Sequence, residues 1–130
     1  MEYNPLSDKE EQIAEVIVNA AYTVHRALGP GLMEGVYEVC FCHEINENGF
    51  SCTRQVPVPI IYKGIKFDAA LRLDVLVEDL VLCELKAVET MNPLFEAQLL
   101  TYLKLTQKRL GFLINFNVPL IRDGIRRIIL

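Results

Sequence analysis

The 130-residue chain lacks most of the signatures that would assign it quickly. No apolar run is long enough to span a bilayer, which excludes a membrane-spanning helix. The opening stretch "MEYNPLSDKEEQ" is acidic and polar and has none of the apolar core of a secretory signal peptide, so a cytoplasmic protein is expected. The four cysteines, Cys40, Cys42, Cys52 and Cys83, form no CxxC pair, and His25 and His43 stand at no zinc-binding spacing from them. Reduced thiols in or near the core are expected. There is no internal repeat, low-complexity tract or linker, and the length suits one domain spanning residues 1–130.

A strongly basic balance is also missing. The formal net charge is −4, which does not resemble a dedicated nucleic-acid binder. The charge is nonetheless uneven. Residues 1–60 carry a net −6 and residues 61–130 a net +2, with six cations between Lys104 and Arg127. A mildly basic second half fits a phosphate-bearing partner and fits an ordinary solvated surface equally well.

What is present is a clear alternation of periods. Ile13, Val16, Ile17, Ala20, Ala21, Val24 and Leu28 form one stripe of an amphipathic helix over Lys9–Leu28, capped by Ser7 or Asp8 and broken at "LGPG". A second helix is expected from about Met33 to Asn48. Strands follow. "RQVPVPIIY" carries Pro57 and Pro59 and belongs at a sheet edge, and Lys63 and Gly64 read as a hairpin turn. Two strands are expected over about 66–77 and 80–88. Asn92 and Pro93 then open a helix that runs to about Thr106. "RLGFLINF" reads as a fully buried strand and "GIRRIIL" as a short last one. The order is ααβββαββ, an α+β or mixed α/β domain. Mean hydropathy of +0.25 on a small chain, with "LGFLINFNVPLI" reading as apolar surface to spare, points to a homodimer.

Charges inside the apolar segment "RLDVLVEDLVLCELKAVE" raise the question of function. Glu84 and Lys86 are two apart on a strand and share a face. The face taken by Asp74 depends on the turn. A two-residue turn at Glu78 and Asp79 sets Asp74 opposite Cys83 and sends it to the other face. A three-residue turn pairs Val77 with Val81 and sets Asp74 opposite Glu84, about 4.5–5.5 Å away between Cβ atoms. Two carboxylates so close raise a pKa or hold a cation, and their oxygens suit Mg²⁺ or Mn²⁺. Lys86 would then orient an attacking water or stabilise charge on a phosphate. A Glu84–Lys86 salt bridge is the plainer alternative. Gln98 and Tyr102 share a helical face beside this hairpin, as neutral partners of the site or as a polar flank. Glu34 and Tyr37 share another face, where Glu34 is a third carboxylate ligand or a helix N-terminal anion.

Gly31, Glu34 and Tyr37 in "VHRALGPGLMEGVY" spell GxxExxY, and with "ELKAVE", "EAQLLTYL" and "LINFNVPLIRDGIRRIIL" the chain resembles the GxxExxY proteins, a branch of the PD-(D/E)XK nuclease superfamily. The resemblance implies a restriction-endonuclease-like core, a central mixed sheet flanked by helices. It maps the catalytic set onto Asp74, Glu84 and Lys86, and the helix-borne metal ligand onto Glu34. Gln98 and Tyr102 look like its QxxxY element, and Tyr37 is a supporting residue. Leu73 stands in place of the signature Pro. Arg72 matches a substrate-side Arg, but Leu71 replaces the aromatic residue usual before it. The implied function is Mg²⁺- or Mn²⁺-dependent phosphodiester hydrolysis in DNA or RNA. A non-catalytic module that binds nucleic acid or protein on the same fold is the alternative.

Overall fold

The computed structural model describes residues 4–130, the side chains of Ala69 and Ala70 excepted, so the first three residues of the acidic opening stretch lie outside the description. Helix α1 (Asp8–Leu28) starts at Ser7, whose hydroxyl accepts from the Glu10 amide at 3.1 Å while Glu10 accepts from the Ser7 amide at 2.8 Å. This reciprocal cap satisfies donors that a helix start otherwise leaves open. Helix α2 (Glu34–Glu47) follows the glycine turn, in which Gly29 and Gly31 take φ of +71° and +97°. Such angles suit glycine and stop α1 where the sequence indicated.

Next come β1 (Cys52–Tyr62), β2 (Ile65–Val77), β3 (Val81–Lys86), α3 (Pro93–Thr106), β4 (Leu110–Asn115) and, after a 3₁₀ turn at Ile121–Gly124, β5 (Ile125–Ile129). The five strands lie in the order β1-β2-β3-β4-β5. Only β3 and β4 pair in parallel, with α3 as their crossover, so the sheet is mixed. This is the expected ααβββαββ order and a restriction-endonuclease-like α+β architecture. Pro57 and Pro59 sit on the edge strand β1, and Lys63 and Gly64, both at positive φ, make the β1–β2 turn. Asn92 caps α3 by accepting from the Leu94 amide at 2.9 Å.

Helices cover both faces. Ile13, Ile17, Tyr37, Phe41 and Ile45 of α1 and α2 pack on Val75, Val77, Cys83, Leu85 and Phe112. Leu99 and Leu103 of α3 pack on Leu73, Leu76, Leu82 and Leu113 across the sheet. One expectation is corrected here. "LGFLINFNVPLI" has little surface to spare, because Leu110 to Phe116 are all buried between the two helical layers. Exposed apolar side chains are spread over the helices and the outer β1–β2 ribbon, with Leu120 the exposed large apolar member of this segment. All four cysteines are free thiols. No helix among the described residues is long and apolar enough to cross a membrane.

Candidate metal and active site

The turn between β2 and β3 sets the geometry. Val77 pairs with Val81, leaving Glu78, Asp79 and Leu80 as a three-residue loop with Glu78 and Asp79 at φ of 54° and 53°. Glu78 anchors it by accepting from the Ser51 amide at 2.6 Å and pairing with Lys9 at 3.1 Å. This register brings Asp74 to Glu84. The ladder of carbonyl bonds stops at Val75–Cys83, and carboxylates take over the next positions. The Asp74 amide donates to Glu84 Oε1 at 3.3 Å, and the Leu85 amide donates to Asp74 Oδ2 at 3.0 Å.

Sequence reasoning missed how β1 and β2 are bent to allow this. Arg54 pairs with Val75 and Val56 with Leu73, so Gln55 and Asp74 face each other across a skipped rung. Val75 packs on the α1–α2 side, whereas Leu73, two residues back, packs on the α3 side. On β1, Cys52 and Val56 divide the same way. Both strands therefore change face at this point, against the period of a regular strand. Gln55 carries the change with φ of 54°. Its amide donates to both Glu38 oxygens at 3.0 Å, and Arg54 pairs with Glu38 at 3.6 Å. Buried Glu38 thus holds the kink that faces Asp74. A Gln at positive φ in the middle of a strand leaves no mark in a sequence.

Asn115 was missed too, although an amide inside "LGFLINF" is a readable signal. Buried Asn115 accepts from the Val88 amide at 3.1 Å and donates to the Val88 carbonyl at 3.0 Å. It lies opposite Lys86 in the parallel ladder and fixes the chain where β3 ends.

Glu84 is only 5% exposed. Its pKa is pushed up to about 8, first by burial and then by the charge of Asp74, with Lys86 opposing. Glu34 reaches the same field from α2. Its pKa is raised by burial and then by Asp74, and lowered by Lys86. The N-terminal end of α2 favours an anion there as well, yet the net direction is upward. Tyr37 sets this helix end. Its buried hydroxyl donates to the Gly29 carbonyl at 2.6 Å and accepts from the Leu32 amide at 3.0 Å, and its ring stacks on Phe116 at 4.7 Å. Tyr37 is a fastener of the turn that precedes Glu34, with its hydroxyl engaged by backbone.

From the α3 side, Tyr102 is held by Gln98 at 3.0 Å. Its phenol pKa is raised by burial and then by Glu84 and Asp74. Lys86 is half-buried, with its ammonium 4.3 Å from the centroid of the Phe95 ring. It takes part in none of the ion pairs among the described residues, so the Glu84–Lys86 salt bridge does not form. Glu34, Asp74, Glu84, Lys86 and Tyr102 thus share one electrostatic field, with Gln98 bonded to its rim. Arg72 is not drawn in. It is exposed opposite Pro57 and forms no ion pair among the described residues.

The donor set suits a hard divalent cation. Two contiguous carboxylates, one of them buried and reluctant to ionise, gain most from a positive charge between them. Among the described residues no three ligating side chains are gathered into a ready cage. Mg²⁺ does not require one, since it binds through one or two carboxylates and keeps several waters.

No curated protein and no solved structure gives a significant match to the chain. A family description does match, over residues 11–128, and the layered mixed sheet fits it. The chain belongs to the PD-(D/E)XK nuclease superfamily.

Proposed function

We propose that the protein is a Mg²⁺- or Mn²⁺-dependent phosphodiesterase that cleaves nucleic acid, within the GxxExxY branch. The observation that carries this reading is the pairing of Asp74 with Glu84 beside Lys86, which joins no ion pair among the described residues. A structural hairpin has no use for such a pair, because like charges in contact destabilise it.

Asp74 and Glu84 would hold the cation, with Glu34 as a third carboxylate. The bound cation supplies Lewis-acid polarisation of the phosphate and lowers the pKa of a coordinated water. Lys86 stabilises negative charge developing on the phosphate and orients the water, and the Phe95 ring lies beneath its ammonium. Gln98 holds the Tyr102 hydroxyl at the rim, a neutral pair that hydrogen-bonds substrate without adding charge. Tyr37 and Glu38 position; they do not touch the substrate.

The test is a cleavage panel of single- and double-stranded DNA and RNA with Mg²⁺ or Mn²⁺, with calorimetric titration of Mn²⁺ alongside. Wild type should cleave at least one substrate and bind Mn²⁺. Glu84→Gln should lose both. Lys86→Ala should keep Mn²⁺ binding while cleavage falls by roughly a hundredfold or more. Equal cleavage by wild type and Lys86→Ala would remove the lysine from the mechanism. Absence of both cleavage and Mn²⁺ binding in wild type would leave a binding module on a nuclease fold.

A further inference from the structure

The β1–β2 ribbon outruns the rest of the sheet. β3 pairs with β2 only at Val75, Leu76 and Val77, whereas β1 follows β2 outward to the turn at Lys63 and Gly64. Residues 60–67 are therefore a two-stranded arm with no third strand beside it among the described residues. Ile60 pairs with Phe67 and Tyr62 with Ile65, which puts four apolar side chains on one face of the arm. Tyr62, Ile65 and Phe67 are 61%, 58% and 49% exposed. A contiguous apolar face of this kind, left open to water, marks a binding surface.

Charge identifies the occupant. The arm carries Lys63 and Lys66, both exposed, on a chain whose net charge is −4. The Lys63 ammonium lies 5.6 Å from the centroid of the Tyr62 ring, so cation and aromatic platform are interleaved. Lys66 meets Asp68 at 3.7 Å, both well exposed. Exposed pairs of that kind contribute little and are readily exchanged for a phosphate. Exposed rings with the Lys63 ammonium beside them, and Lys66 on the opposite face of the ribbon, fit a polyanion whose flat apolar groups are unpaired. A duplex hides its bases from such rings. A second copy of the arm would bring the same cations against themselves. Pro57 and Pro59 also deny the β1 edge two amide donors, which disfavours an added strand there.

The direction of the arm is informative. Beyond a break in register between Val58 and Ile60, Val56 and Val58 pack beside Leu73, Leu99 and Leu103 on the α3 side. Tyr102 packs against the same cluster and feels Glu84 and Asp74. The arm and the carboxylates are also joined by β2 itself. From Phe67 to Asp74 the chain spans at most about 23 Å, a few nucleotides.

We propose that the arm is a docking surface for single-stranded nucleic acid, with Tyr62 and Phe67 stacking on unpaired bases, Lys63 holding the phosphates beside them and Lys66 adding attraction from the opposite face, and that it leads the strand along β2 to Asp74. The destination rests on the nuclease reading; the docking does not. The experiment is fluorescence anisotropy of a labelled oligothymidylate and of a labelled duplex, in EDTA so that nothing is cut. Wild type should bind the single strand more tightly than the duplex. Tyr62→Ala with Phe67→Ala should weaken single-strand binding by roughly tenfold or more for each ring. Lys63→Glu with Lys66→Glu should weaken it and flatten its salt dependence. All four positions are exposed, so melting temperatures should stay near wild type.

Unchanged binding by the aromatic variant would overturn the proposal, as would a preference for duplex. So would a wild-type dimer that sediments as a monomer after Ile65→Asp, because the face would then join two copies. Binding through the arm without cleavage in Mg²⁺ or Mn²⁺ would sink the nuclease reading and leave the arm standing. Cleavage of single strands at unchanged KM by the aromatic variant would do the reverse.

Discussion

Glu84 bears most of the energetic burden of the site, and the sign of its effect can be worked out. Its folded pKa, about 8, lies above the ordinary 4.5. The folded state therefore holds the proton more tightly than the unfolded chain. Below about pH 4.5 the group is protonated in both states and is neutral to stability. As pH rises from there towards 8 the unfolded chain ionises and the folded one resists, so stability falls, and the loss levels off above the folded value. The melting temperature of the metal-free protein should therefore drop across that window, and Glu84→Gln should remove most of the drop. A cation that binds only the folded state works in the opposite direction, by about 2.7 kcal/mol at a hundredfold excess over Kd. Mn²⁺ should raise the wild-type melting temperature at neutral pH, and far less at pH 4. Melting curves that coincide with and without Mn²⁺ at neutral pH would refute the cation site.

Among the elements, β1 and β2 depart furthest from regularity, and they do so where Asp74 sits. The face change at Gln55 is held by two amide bonds to Glu38, one turn after Glu34 on α2. One helix thus supplies a carboxylate to the site and another to its support. Glu38→Ala should free Gln55 to relax from φ of 54° towards a regular strand and move Asp74 with it. The expected result is a Mn²⁺ affinity lowered by roughly tenfold, in the range usual for loss of an outer support. The fold should persist. Glu38→Gln keeps one acceptor oxygen and should restore part of the affinity. Calorimetric titration with circular dichroism separates the two effects; an unchanged Kd in Glu38→Ala would show that the kink holds itself. The turn at 78–80, in contrast, was readable in advance, because a two-residue loop sends Asp74 to the wrong face.

Across the whole molecule, what could be read early was what local chemistry decides. The capped helix at Ser7, the glycine break, the edge strand with Pro57 and Pro59 and the Asn92–Pro93 helix start are where the residues placed them. So is the hairpin that joins Asp74 to Glu84. What could not be read depends on partners distant in sequence. The kink at Gln55 needs Glu38, and Asn115 needs Val88. The burial of β4 was legible in the apolar run "RLGFLINF", but the further reading of "LGFLINFNVPLI" as spare surface overlooked that helices cover both sheet faces. The sheet also divides the chain in time. β1, β2 and β3 join by short turns, while β3 and β4 meet only after α3 has crossed over. Local pairings close with little loss of entropy, and distant ones close late. The acidic pair lies in the local part, so its repulsion acts on the rate of folding as well as on the final balance. Above pH 8 and without metal, Glu84→Gln should refold faster than wild type. Ile128→Val, in the last strand, should leave refolding unchanged and speed unfolding. Stopped-flow measurement of both limbs decides it; equal refolding rates for Glu84→Gln and wild type would place the hairpin after the barrier. On this ordering, the carboxylate pair proposed to hold a cation also sets how fast the chain folds.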